Sequence, residues 1–432
     1  MTRAAESQPH GPRYAELSAC EQFLQILHEK FPGAGSFTAV LRFRGQITPE
    51  PLARALKALQ HRHPLLRAAI VSRDGKLMYE VADVPQPVSV EWIETENRDL
   101  WQTAAVECTR IPFDVQRPPF LRLTVLQKPG TGWSDLLITM HHVIADGRAV
   151  ATMLQDLQTV WSAADHEVTL PVQNWIAPQV PRKRGTLRAA LQRLRQRFSQ
   201  RRQLRGYRKV QFDKLPQPTV PCCREVLSKE ETTQLRTRCR IAETTPYGAI
   251  AAATLQALAA DPAHTGCQFR IDSPIDFRTV CEPRLGYDQV GCYVWILGYR
   301  IAVPEAIPFW ELARRCRQQL ESAWQSGSFQ RTWHWLPWLL PLFKRRRTSR
   351  QRIRGGVVSI NDMGAVRSTI SGHGAVLEEM GWYSNREHTM ATFVANAVML
   401  EGRINLTFSS PCHTPEQLQT VAQSIMEALR KG

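Results

Sequence analysis

The chain is poor in the features that would assign it early. Its opening, MTRAAESQPHGPRYAELS, has no apolar core, so neither a signal peptide nor a membrane anchor is expected there. Its ten cysteines show no metal-finger spacing and no HExxH motif accompanies them, so no metal site is expected. In a chain of this size such scattered cysteines read as reduced thiols rather than a disulfide framework. No GxSxG elbow is present, which argues against a serine hydrolase. Recognition-helix and RNP-like aromatic signatures are also missing, and no nucleic-acid role is expected despite a net charge of +16.

Acid is missing locally as well. Arg182 to Lys209 holds 12 Lys/Arg and no Asp/Glu, and Lys344 to Arg354 holds 7 more, again without acid. Those basic residues exceed the whole net charge of +16, so the excess belongs to two patches and not to the fold. Such runs suit an acidic protein partner, a phosphate-bearing ligand or an anionic membrane surface. The second run follows WHWLPWLLPLF, Trp333 to Phe343. Tryptophans beside leucines and a basic tail fit a lipid interface, and a buried acyl-tunnel wall is the alternative home. The prolines argue against a regular helix throughout, and the stretch is too short to span a bilayer.

What is present is a folded-protein composition, 43% hydrophobic over 432 residues, which fits two domains of about 200 residues each. We divide the chain at 1–175, a basic, proline-flanked linker at 176–212, and 213–432. Helices are expected over Leu17 to Phe31, Pro51 to Gln60 and Arg148 to Val160, and strands over Phe37 to Phe43 and Leu136 to Met140. Leu121, Leu123 and Val125 alternate, giving a strand paired antiparallel to the next through the PGTGWSD turn. Further strands are expected at Phe269 to Pro274 and Val290 to Ile296, with helices at Lys229 to Ile241 and Thr245 to Ala260.

The stretch that organises the rest is HHVIADG, His141 to Gly147, at the end of an apolar strand. Histidine suits proton transfer near neutral pH. Asp146, four residues beyond His142, would fix the ring or pair with a distant arginine, and Gly147 would permit close backbone approach. The plain alternative is that two histidines simply terminate a strand. A shared metal is awkward, because successive strand residues point to opposite faces.

HHVIADG resembles the HHxxxDG signature of the condensation-domain and CoA-dependent acyltransferase superfamily, in particular its free-standing polyketide-associated O-acyltransferases. HRHPLLRAAI, IPFDVQRPPFLRLTVL, VGCYVWI and the C-terminal strand and helix resemble further family segments, so the likeness runs from about Leu17 to Leu429. The resemblance implies an α/β fold of two chloramphenicol acetyltransferase-like sandwich subdomains in a V with a central channel. It implies an enzyme that moves an acyl group from CoA or a carrier-protein thioester to a hydroxyl or amine, O-acyl transfer being favoured over amide condensation. Natural-product or lipid metabolism and a cytoplasmic setting, with peripheral contact to an anionic membrane, complete that expectation. No bound cofactor is implied; acyl-CoA or a phosphopantetheinyl carrier is the donor substrate.

On the same resemblance, His142 is the general base, with His141, Asp146 and Gly147 completing the catalytic stretch. Arg278 is the partner expected for Asp146, a surface role being the alternative. VVSINDMG resembles the family's SNxG segment, with Ile360 where serine is usual, leaving Asn361 and Gly364 to support the site. Cys292 stands where asparagine is common and is assigned no nucleophilic role; His63 is read as structural. The Ile360 and Cys292 replacements keep a second reading open, a silent condensation-like scaffold or carrier-binding module.

Overall fold

The computed structural model describes residues 13–432 except 32, 164–167, 174, 176, 182–193, 195–197, 214, 216–218, 346–355, 368–370, 373 and 385–390. The greater part of both basic runs, and much of the expected linker, lies outside the described residues.

The first sheet is built on two strands buried almost throughout, β2 (Ser36–Arg44) and β7 (Trp133–His141). Alternation sorts their side chains. Phe37, Ala39, Leu41, Ile138 and Met140 join the core shared with α2 (Pro49–Arg62) and α4 (Gly147–Trp161). Val40 and Leu137 turn to the other side, against Trp101 and Val106 of α3 (Leu100–Arg110). Helices on both faces explain why neither strand shows a polar face. Several of its buried polar groups are paired. Thr38 meets Thr139 at 2.8 Å, and Arg42 holds Asp135 at 2.8 and 2.7 Å. β6 (Leu121–Gln127) pairs antiparallel with β7, as the turn between them requires, and β5 (Ser89–Glu94) lies parallel outside it.

The second sheet runs β11 (Val294–Ala302), β10 (Cys267–Asp276), β12 (Val357–Val366), β15 (Ala391–Leu400), β16 (Arg403–Ser409), β9 (Cys222–Leu227). One face packs on α5 (Lys229–Ile241), α6 (Pro246–Ala259), α7 (Phe309–Gln325) and, near the C-terminus, α9 (Pro415–Lys431). Thr245 caps α6 ahead of Pro246, accepting from the Gly248 N–H at 3.2 Å. The two sheets are not separate along the chain. After β12 the chain crosses back, and β13 (Ser371–Gly372) and β14 (Ala375–Ser384) extend the first sheet beside β2. Met380 and Leu377 therefore sit in the first core, and the halves interlock.

Two sequence expectations are corrected. Ser328–Arg345 forms a continuous helix, α8, through both Pro337 and Pro341. The prolines stand four residues apart and are both exposed, so their rings lie on the outer side of the helix. Leu336 and Leu340 on the other side are buried against Ile26 of α1 (Ala19–Lys30), and this packing outweighs local propensity. Second, Val290 to Tyr293 precede the strand, which begins only at Val294. Backbone groups of Gly291 and Tyr293 bind the HHVIADG loop instead.

One buried carboxyl carries a pH prediction. Glu21 completes a capping box at the start of α1, accepting from the Ser18 N–H at 2.6 Å, and is 1% exposed. Burial pushes its pKa up from 4.5 to about 7, against the smaller opposing effect of its hydrogen bonds with Ser18. A folded pKa above the unfolded one means that stability is full below pH 4.5 and falls as pH rises through 7. Glu21→Gln keeps the cap without the charge. It should be more stable than the wild type by about 3 kcal/mol above neutrality, the difference closing toward acid pH. Denaturant melts at about pH 5 and about pH 8 test this, and parallel profiles for the two proteins would refute it.

Candidate active site

β7 delivers the two histidines to different surroundings. His141, the last strand residue, is fully buried among Phe113, Phe120 and the edge of His28, whose ring centre is 4.6 Å away. Its Nδ1 accepts the Val143 N–H at 3.1 Å, which places its proton on Nε2. Burial first, then the neighbouring His28 and His142, pushes its pKa well below the usual histidine value. It is a neutral ring that shapes the loop from below.

His142 is half-buried and leaves the strand. Its backbone N–H donates to Gly35 O at 2.7 Å, and its ring lies over Phe37 at 4.4 Å between centres. Gly35 has φ +80°, a conformation that favours glycine, and this brings its carbonyl to the loop. The His142 Nδ1 lies 3.1 Å from Ala145 O. A carbonyl only accepts, so the ring proton sits on Nδ1 and the basic lone pair on Nε2. The tautomer of His142 is thereby set by the motif's own backbone.

Asp146 ends the loop and starts the helix. It is the N-cap of α4, with Oδ1 accepting from Ala149 N at 2.8 Å. The second half of the chain supplies its other partners. Arg278, fully buried, donates through Nη1 to Oδ2 at 2.9 Å and through Nη2 to Oδ1 at 3.0 Å. The Tyr293 N–H donates to Oδ2 at 2.8 Å, and the Asp146 N–H donates to Gly291 O at 3.2 Å. This is why Gly291 and Tyr293 are absent from β11. Arg278 also donates to Asp276 Oδ1 at 3.1 Å and Gln289 O at 2.9 Å, and it stacks on Tyr293 at 4.5 Å. Burial opposes its charge, but Asp146 and Asp276 outweigh it and raise its pKa above the ordinary arginine value. Both charges are therefore paired and hydrogen-bonded, the condition for tolerating them inside a protein.

β12 approaches from the other side. Ser359 and Asn361 share a face, with Ser359 Oγ donating to Asn361 Oδ1 at 2.9 Å. Asn361 Nδ2 donates to Asn396 Oδ1 at 2.6 Å, and Asn396 Nδ2 to Trp382 O at 2.9 Å, which ties the second sheet to β14 of the first. Ile360 turns the opposite way into the second core, so the hydroxyl on the Asn361 face belongs to Ser359. Gly364, with φ +72°, sits in an irregularity of the β12–β15 ladder between Asp362 and Ala365. Between Asn361 and Gly364 stands Met363, and a Cβ on Gly147 would lie 2.1 Å from its Sδ. Gly147 is thus the place where the second half touches the motif. Gly147→Ala should cost about 1–3 kcal/mol by overpacking, and adding Met363→Ala should recover most of it. Thermal melts of the single and double variants measure this; an additive double variant would contradict the contact.

Cys292 is buried, and its contact with Cys20, then burial, raises its pKa well above the usual thiol value. His63 is buried too, its ring nitrogens 2.9 Å from Gln173 Oε1 and 2.8 Å from Asp156 Oδ2. The sequence reading missed Gly35, Phe37, Tyr79, Ser359 and Met363. Tyr79 donates to Val143 O at 2.9 Å. None of these has a local signal, because strand pairing or the meeting of the halves brings each one to the motif.

The condensation domain family matches residues 24–176, and the phthiocerol/phthiodiolone dimycocerosyl transferase C-terminus family matches residues 216–414. Together the two families match most of the chain, and its fold is that of the condensation-domain and acyltransferase superfamily. Its similarity to tyrocidine synthase 2 of Brevibacillus parabrevis is 29% identity over 168 residues, 37% of this chain. To cyclosporin synthetase of Tolypocladium inflatum it is 26% over 302 residues, 66% of this chain. The chain spans only 4% of the length of the first of these relatives and 2% of the second. Polyketide synthase associated protein 5 from Mycobacterium tuberculosis shares its fold, with TM-score 0.64, 18% identity and 98% of each chain covered. The first condensation domain of the calcium-dependent antibiotic synthetase does so with TM-score 0.66 and 14% identity, covering 98% of this chain and 95% of that one. The chain has the two α/β subdomains of that fold, arranged in a V.

Proposed function

We propose that this protein transfers an acyl group from a CoA or carrier-protein thioester to a hydroxyl or amine, with His142 as general base. The observation that carries this is the His142–Ala145 hydrogen bond, which leaves Nε2 as the basic nitrogen on a loop held by Asp146 and Arg278. In the reaction, Nε2 takes the acceptor's proton as its oxygen or nitrogen attacks the thioester carbonyl. The oxyanion forms near Gly147, where the positive end of α4 and its backbone N–H groups favour developing negative charge. Collapse breaks the C–S bond, and the proton on Nε2 passes to the leaving thiolate. No acyl-enzyme is needed. His141, Asp146 and Arg278 position the loop, while Asn361 and Gly364 set the facing strand.

An alcohol acceptor is favoured, because residues 216–414 match a family named for phthiocerol/phthiodiolone dimycocerosyl transfer. The test is incubation with a panel of acyl-CoAs and acyl carrier proteins plus pooled alcohols and amines, following thiol release and product mass. Acceptor-dependent release with ester products is expected. Tight carrier binding without turnover across the panel would establish the silent scaffold instead.

A further inference from the structure

Helix α8 is apolar on two sides. One stripe, Phe329, Trp333, Leu336 and Leu340, is buried, partly against α1, where Phe343 meets Phe23 at 5.1 Å. A second stripe, Trp335, Trp338, Leu339 and Leu342, repeats at helical spacing and faces solvent, its tryptophans 65% and 75% exposed. A helix apolar all round normally belongs in a core or in lipid. This one lies on the surface.

Charge stands at its end. Lys344 and Arg345 are exposed, and the acid-free run they begin continues in sequence to Arg354. The other acid-free run has the sequence pattern of a basic amphipathic helix, with Leu187, Leu191, Leu194 and Phe198 spaced among arginines. Within it, Leu194 and Phe198 are 49% and 67% exposed. Its end is joined to the same region, since Gln319 of α7, the helix leading into α8, donates to Gln203 at 3.2 Å.

We propose that the outer face of α8, with the exposed Lys344 and Arg345 at its end, docks on the surface of an anionic lipid bilayer. Tryptophan places an apolar ring and an N–H donor at the headgroup level, and lysine and arginine meet lipid phosphates there. The contact is peripheral, because among the described residues no helix is long and apolar enough to cross a membrane. A second copy of this chain is a poorer occupant, since pairing the faces would bring like charges at Lys344 and Arg345 together. This inference does not depend on the acyl-transfer reading.

The test uses the full chain, sedimented with phosphatidylcholine vesicles with and without phosphatidylglycerol, together with tryptophan emission. Binding to the anionic vesicles, a blue shift and weakening by salt are expected. The double variant W335S/W338S, altered only at exposed positions, should keep its melting temperature and lose about tenfold or more in vesicle affinity. Failure of the wild type to bind anionic vesicles would overturn the proposal, as would equal binding by the variant. A concentration-dependent dimer lost in W335S/W338S, without vesicle binding, would assign the face to a second copy.

Discussion

Replacing Arg278 with alanine is expected to destabilise the protein by about 3–5 kcal/mol, the usual consequence of removing one partner from a buried ion pair. The geometry says why the cost is high. Arg278 is fully buried and joins Asp146 to Asp276 and to Gln289 O, so its removal leaves Asp146 charged and buried with two backbone donors. Arg278→Lys keeps the charge but loses the paired geometry of Nη1 and Nη2, and it should recover only part of the loss. Asp146→Asn leaves Arg278 with Asp276 and still caps α4, so it should cost less than Arg278→Ala. Denaturant melts of the two single variants and the double variant measure the coupling, and a value near zero would show that the pair does not join the halves. Acyl transfer should fall with stability in every one of these variants, because the loop bearing His142 is held from the second half.

Much of this arrangement was legible because it is local. Alternation marked β6, an apolar run marked β7, helical spacing marked α4, and HHVIADG marked the end of the strand. The pairing of Asp146 with Arg278 came from resemblance, since nothing in the spacing of two residues so far apart fixes contact. What was not legible depends on tertiary structure. Gly35 and Phe37 reach the motif through the register that sets Ser36 opposite His141. Met363 reaches Gly147 through an irregular stretch of β12. The return of β14 to the first sheet leaves no trace in periodicity, because a strand reads the same whichever sheet it joins. The continuous α8 shows packing prevailing over two prolines, a contest that sequence presents from one side only.

His142→Ala is expected to lower acceptor-dependent turnover by about 10²–10⁴-fold, the contribution typical of a positioned general base, with little change in melting temperature. The ring is half-buried, and its loss leaves the loop's anchor at Asp146 untouched. Because the proton moves only in the transition state, kcat and kcat/KM should fall together while donor affinity stays the same. His141→Ala makes the contrast. That ring is fully buried against His28 and takes a backbone N–H from Val143, so its removal should cost stability first and activity through it. If the two variants exchanged these phenotypes, the base would be His141. If His142→Ala turned over undiminished, no histidine of the motif would be carrying the proton, and the loop would be a scaffold for chemistry supplied by the substrates. The separation of the two outcomes rests on one feature of the fold. The strand ends between the histidines, so one is held fully inside the protein and the other is only half-buried.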